Sequence, residues 1–189
     1  MTTLSQFKVL ITRPEKQQHE LVAALKQGGA HAVSRPMISI DPVESSVQIE
    51  RVRTQIQQLD NYRFLIFVSS NAASLGAHWI DQYWPQFPHG VDVIALGPAT
   101  GRVLTDLLGC QVALPSTGIT SEDVLKLPQL QSLTGAKVAI FRGSGGRELM
   151  AETLSSRGAV VDYIEVYSRS ESRYNSKQLA DDLKREGIN

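Results

Sequence analysis

One cysteine, Cys110, is all the thiol this 189-residue sequence holds, so no disulfide can close within the chain. No cysteine–histidine spacing matches a zinc site either. Charge of one sign is equally scarce. The 19 lysines and arginines are balanced by 19 aspartates and glutamates, with no basic run to attract a polyanion, so nucleic acid is not an expected partner. Long apolar runs are absent as well. Stretches such as 64–68, FLIFV, have the length of a strand, far short of a bilayer span, and the N-terminus lacks the apolar core of a signal peptide. The four histidines stand far apart and read as surface or helix-flank residues rather than ligands. These absences leave a cytoplasmic protein without membrane association as the expectation.

What is present is alternation. Apolar runs of strand length at 7–11, 31–34, 64–68, 91–96, 111–114, 137–141 and 159–163 are separated by amphipathic stretches. Those stretches, at 15–28, 47–59, 71–81, 98–108, 121–127, 146–157 and 176–186, read as helices. The pattern is that of βαβ units around a parallel sheet and places the chain in the α/β class. Glycines in QGGA and RGA stand where helix C-caps want a left-handed residue. Pro98 sits in a first helical turn, and Thr120 or Ser121 caps a helix whose first turn carries Glu122 and Asp123.

The stretch KVLITRPEKQQHEL, 8–21, returns 129 residues later as KVAIFRGSGGRELM, 137–150. Aligning 7–39 with 136–168 gives eight identities, among them Arg13 with Arg142 and Gly29 with Gly158, where chance at ordinary composition gives about two. Two accounts fit: convergence of two βαβ units, or duplication of a domain. Under duplication, the two strands of the first unit need partners, because two strands alone make no stable sheet domain. The chain after Arg169 must then supply them. The expected organisation is a discontinuous first α/β domain at 1–36 and 168–189, with a second α/β domain inserted at 41–163. Two crossings of the chain, at 35–43 and 164–170, join them. By the same arithmetic the first domain is expected to be incomplete at Asn189.

Four strand-to-helix turns carry small, hydroxyl or cationic residues: Thr12 and Arg13; Ser69, Ser70 and Asn71; Gly97 and Thr100; Arg142, Gly143 and Ser144. At the carboxyl ends of parallel strands such turns present free N–H groups and helix N-termini to anions. The same residues are also ordinary caps and turn formers, and the turns alone do not choose between these roles. RGSGG lacks the Gly-Lys-Ser/Thr of a phosphate loop and the spacing of a dinucleotide fingerprint. Tyr167 lies in the second crossing segment, opposite Ile38 in the repeat. It reads either as a packed aromatic or as a hydroxyl positioned for a leaving group.

In order along the chain, VLITRP, FVSSNAA, ALGPATGRVL, GITSEDVL, FRGSGGREL and EVYSR resemble the uroporphyrinogen-III synthase family from about residue 8 to residue 169. The resemblance implies two doubly wound, flavodoxin-like domains joined by a two-stranded connector, with the active site in the cleft separating them. It implies a lyase that closes hydroxymethylbilane to uroporphyrinogen III with loss of water and inversion of the terminal pyrrole, using no metal or organic cofactor. A monomer is expected. Tyr167 matches the family's crossing tyrosine, the acid that assists departure of the hydroxyl. Arg13, Ser69, Ser70, Asn71, Gly97, Thr100, Arg142, Gly143 and Ser144 match turns that bind substrate, with either arginine able to serve as a tie between loops instead. A further serine- or threonine-bearing turn of the family's first domain has no counterpart in these residues. The competing reading is a non-catalytic module that binds a small anion or tetrapyrrole on the same scaffold, and a flavodoxin-like binder of nucleotide or sugar phosphate is a third.

Overall fold

The structure is a computed structural model that describes residues 3–171, 174 and 176–188. The chain divides into two compact units, one made of Met1–Asp41 with Arg169–Asn189 and the other of Pro42–Ser168. The class is α/β.

In the smaller unit, β1 (Lys8–Ile11) and β2 (His31–Ser34) form a parallel pair connected by a 3-10 turn, Glu15–Gln17, and helix α1 (His19–Gln27). The helix expected from residue 15 is therefore split at Gln18. The C-terminal helix α7 (Ser176–Glu186) belongs to this unit and is tied to the pair by polar groups. Lys8 Nζ donates to the Glu186 carbonyl at 2.7 Å, and Arg35 lies 3.5 Å from Asp182 and 3.9 Å from Glu186. Strand β3 (Ile38–Pro42) begins here, within the crossing expected at 35–43.

The larger unit holds β4 (Phe64–Phe67), β5 (Asp92–Ala95), β6 (Val112–Ala113), β7 (Lys137–Gly143) and β8 (Val160–Glu171). The sheet order is β3-β8-β7-β4-β5-β6, and every pairing from β8 to β6 is parallel. Strand β8 runs twelve residues and makes one strand of the run expected at 159–163 and the connector expected at 164–170, its second half paired with β3. The Val43 N–H donates to the Val166 carbonyl, and Ser170 Oγ donates to Asp41 Oδ2 at 2.6 Å, so the two strands run antiparallel. Asp41 and Ser170 are themselves 129 residues apart.

The repeat is a repeat of register. Lys8 pairs with His31 and Lys137 with Val160; Ile11 pairs with Ser34 and Ile140 with Tyr163. Every partner in the second copy is its counterpart in the first shifted by 129. The helix of each copy ends at a glycine with positive φ, 90° at Gly29 and 94° at Gly158.

Alternation along the strands divides the larger unit's core. Phe64, Ile66, Ile94, Val138 and Ile140 face Val124, Leu125, Leu130, Met150 and Leu154, from α5 (Ser121–Val124), α6 (Leu149–Ser156) and the turns near them. Phe67 and Phe141 stack at 4.2 Å against α3 (Ser70–Tyr83). A Cβ on Gly76 of that helix would lie 2.7 Å from Phe141 and 2.9 Å from Phe67, so the helix approaches the rings at a distance only glycine allows. Helices α2 (Ser46–Gln57) and α4 (Pro98–Leu108) bury Val52, Ile56 and Leu104.

Two helix boundaries differ from expectation for backbone reasons. Gly145 and Gly146 have φ of 73° and 111°, which no helix accommodates, so α6 starts at Leu149 rather than at 146. Pro128 holds Leu127 extended (φ −56°, ψ 133°), and α5 closes after four residues. Its start carries a full capping box: the Asp123 N–H donates to Thr120 Oγ1, while the Thr120 hydroxyl and N–H donate to Asp123 Oδ2 at 2.7 and 3.1 Å. These bonds, with Lys126 at 3.0 Å, hold the Asp123 carboxyl at about 2, below its ordinary 3.8. A lowered folded-state pKa gives stability that is complete above the unfolded value and lost as pH falls through the folded one. Between pH 4 and pH 2, Asp123→Asn should therefore lose less stability than the parent chain, measured by denaturant midpoints across that window. Equal acid slopes would show that the box does not contribute.

Candidate active site

The sheet order fixes where the site can form. From β4 the chain winds outward through β5 to β6, then returns to the other side of β4 as β7 and winds the opposite way to β8. The connections after β4 and β7 diverge, and the carboxyl ends of strands at such a switch point are where open α/β sheets bind ligands. The turn after β4 carries Ser69, Ser70 and Asn71; the turn after β7 carries Arg142, Gly143 and Ser144; and β8, beside β7, carries Tyr167.

Ser69 caps α3, its Oγ accepting from the Ala72 N–H at 3.1 Å. The same Oγ lies 3.3 Å from Tyr167 Oη. Tyr167 is 1% exposed, among the largest fully buried side chains of the protein. Its ring lies on Gly143, where an added Cβ would stand 2.5 Å from Cε2 and 2.7 Å from Cζ. The pairing irregularity between Arg142 and Gly143 brings Gly143 opposite Tyr167, and the Ser144 N–H donates to the Tyr167 carbonyl at 2.8 Å. Three of the expected site residues thus converge around a fourth. Ser70 and Asn71, in the first turn of α3, are half-buried, and the Ser144 side chain is exposed.

Arg142 is 6% exposed, and each nitrogen of its guanidinium has a partner. Nε donates to the Gly143 carbonyl, Nη1 to the Arg147 carbonyl, and Nη2 to the Gly145 carbonyl. Nη1 also meets Glu148 Oε1 at 3.4 Å, and the cation lies 4.5 Å from the Tyr163 ring centroid. Tyr163 in turn donates to Glu148 Oε2 at 2.5 Å. Burial and that bond push its hydroxyl up to about 12. Arg142 therefore shapes the turn of residues 143–148 and has its charge neutralised within it.

Gly97 caps α4 with its backbone buried, and an added Cβ would meet Ile119 Cγ2 at 2.9 Å. Thr100, one turn into that helix, is buried at 6%. Both stand after β5, one strand beyond β4. Arg13 belongs to the smaller unit, in the bend after β1; it is exposed, and no described residue holds it in an ion pair. Glu148 and Tyr163 escaped sequence reading. The repeat puts His19 and Ser34 at their positions in the first copy, so Arg13 and Arg142 share a letter and a register but not an environment.

Among the described residues, no group of three His, Cys, Asp or Glu could hold a metal ion, and no helix is long and apolar enough to cross a membrane.

A family model for uroporphyrinogen-III synthase HemD matches residues 19–189. The uroporphyrinogen-III synthase of Escherichia coli K12 is 33% identical over 175 residues, covering 91% of this chain and 69% of that protein. That of Proteus mirabilis is 32% identical over 172 residues, with 91% and 85% covered. Among solved structures, a mutant uroporphyrinogen III synthase from the extremely thermophilic bacterium Thermus thermophilus superposes with a TM-score of 0.63 at 14% identity, over 96% of this chain and 69% of that one. At that identity the superposition speaks for the fold.

Proposed function

Since the chain belongs to the uroporphyrinogen-III synthase family, we propose that it closes hydroxymethylbilane to uroporphyrinogen III, releasing one water and inverting the terminal pyrrole ring. The observation that carries this reading, beyond family membership, is a tyrosine hydroxyl fixed at the sheet's switch point by a helix-capping serine. We read the two units as doubly wound, flavodoxin-like domains, the first of them discontinuous, joined by the β3–β8 pair.

The chemistry asks little of a protein beyond an acid and a shape. The lone pair of the pyrrole nitrogen expels the hydroxyl; the C–O bond breaks, its electron pair leaves with oxygen, and a proton from Tyr167 Oη completes the water. The resulting azafulvene is attacked by the substituted carbon of the terminal ring, giving a spiro intermediate. This fragments and recloses on the ring's unsubstituted carbon. The proton lost there balances the one the phenol gave. Spontaneous closure joins the ends directly and yields the type I isomer, so the protein's task is to hold reacting carbons in the less accessible geometry, which is catalysis by orientation.

The substrate carries eight carboxylates, and the turns are suited to them in different ways. Helix N-termini at Ser69–Asn71 and at Gly97–Thr100 present N–H donors. Ser144 offers its exposed hydroxyl, its N–H being taken by the Tyr167 carbonyl, and Gly143 lines the same turn, which Arg142 ties in place. Arg13, exposed and unengaged by described residues, is the cation of this set that can meet a carboxylate directly.

Incubating the purified chain with hydroxymethylbilane, oxidising the product and separating the porphyrin isomers tests the proposal. Type III in excess over the enzyme is the expected product. Type I alone, at the spontaneous rate, would instead support a non-catalytic tetrapyrrole-binding module.

A further inference from the structure

We infer that Ser69 is a positioning residue for the Tyr167 hydroxyl rather than a contact of the substrate. The inference rests on the reading of Tyr167 as the acid. Oγ of Ser69 already accepts the Ala72 N–H at 3.1 Å and lies 3.3 Å from Tyr167 Oη. The Ala72 N–H takes one of the two Oγ lone pairs, and in this inference the serine's O–H is the donor toward the phenol oxygen. A phenol that accepts from Ser69 can pass its own proton to the substrate's departing hydroxyl. The ring cannot drift from this arrangement, because Gly143 lies directly beneath it and the side chain is 1% exposed. The serine therefore couples the start of α3 to the orientation of one proton, and the substrate-binding role expected of it passes to its neighbours Ser70 and Asn71.

The helix cap and the proposed function can be separated by choice of variant. Glycine is nearly as good a cap as serine but has no hydroxyl, so Ser69→Gly removes the donor while keeping the helix start. Ser69→Thr keeps both. With the full chain and hydroxymethylbilane, Ser69→Gly should lower kcat about tenfold with KM little changed, and Ser69→Thr should restore most of the rate. The double variant Ser69→Gly/Tyr167→Phe should be no slower than Tyr167→Phe alone, because the serine acts through the phenol. A raised KM with kcat intact in Ser69→Gly would overturn the inference and return Ser69 to the substrate. So would a double variant slowed by the product of the two single effects. Full activity in Tyr167→Phe is a distinct result: it removes the acid reading itself, and this inference with it.

Discussion

Tyr167→Phe should slow ring closure by about 10²- to 10⁴-fold, the usual contribution of a positioned general acid, while the fold stays intact. The phenyl ring is retained, so the contact with Gly143 and the burial of the side chain survive; the oxygen is lost, and its contact with Ser69 goes with it. The remaining Ser69 hydroxyl keeps its bond from the Ala72 N–H, so α3 stays capped. Loss of a buried hydrogen bond costs about 1 kcal/mol of stability, small beside the expected loss of rate. Initial rates by isomer-resolved assay, with denaturant midpoints alongside, separate the two effects. The residual product should shift toward type I, because a slowed enzymatic step competes less well with spontaneous closure. A variant that closes the ring at the parental rate would show that the substrate's hydroxyl leaves without help from this phenol.

The sequence made some of this site legible and hid the rest for definable reasons. Strand and helix positions followed from periodicity, and the 129-residue repeat carried over into strand register residue for residue, as Lys8–His31 and Lys137–Val160 show. The four turns were found because glycine, serine and proline at strand ends have few other uses. Tertiary partners were not visible. Glu148 sits in a stretch that reads as helix, and nothing local says that its carboxylate reaches Arg142 and Tyr163. The continuity of β8 was not legible: the polar connector strand expected at 164–170 runs on from the apolar one at 159–163 as a single strand, its second half paired with β3 near the sheet edge. The repeat holds one further clue. Where the second copy has Gly143 and Tyr167, the first has Pro14 and Ile38. The two differences occur together at positions that pair across the strands, which is what a ring resting on a glycine requires.

That pairing sets the second large effect. Gly143→Ala should both destabilise the larger unit and disable the reaction. The backbone there is not in the left-handed region, so alanine meets no conformational penalty of its own. The cost is steric: the new methyl would occupy space 2.5 Å from Cε2 and 2.7 Å from Cζ of a ring that is itself fully buried. The ring, the bulged strand or both must shift, and overpacking of this kind costs about 1–3 kcal/mol. Any shift that relieves the clash also moves Oη, and the 3.3 Å contact with Ser69 cannot be kept while the ring is displaced. A misplacement of about 1 Å at a reacting group can cost roughly a hundredfold in rate. Gly143→Ala should therefore approach Tyr167→Phe in kcat while lowering the denaturant midpoint, which Tyr167→Phe does only slightly. The clash should show as non-additivity: the Gly143→Ala/Tyr167→Ala double variant should be less destabilised than the sum of the two single variants, and inactive. An unchanged midpoint in Gly143→Ala would mean that the ring does not rest on this glycine, and the account of how Tyr167 is held would fall with it.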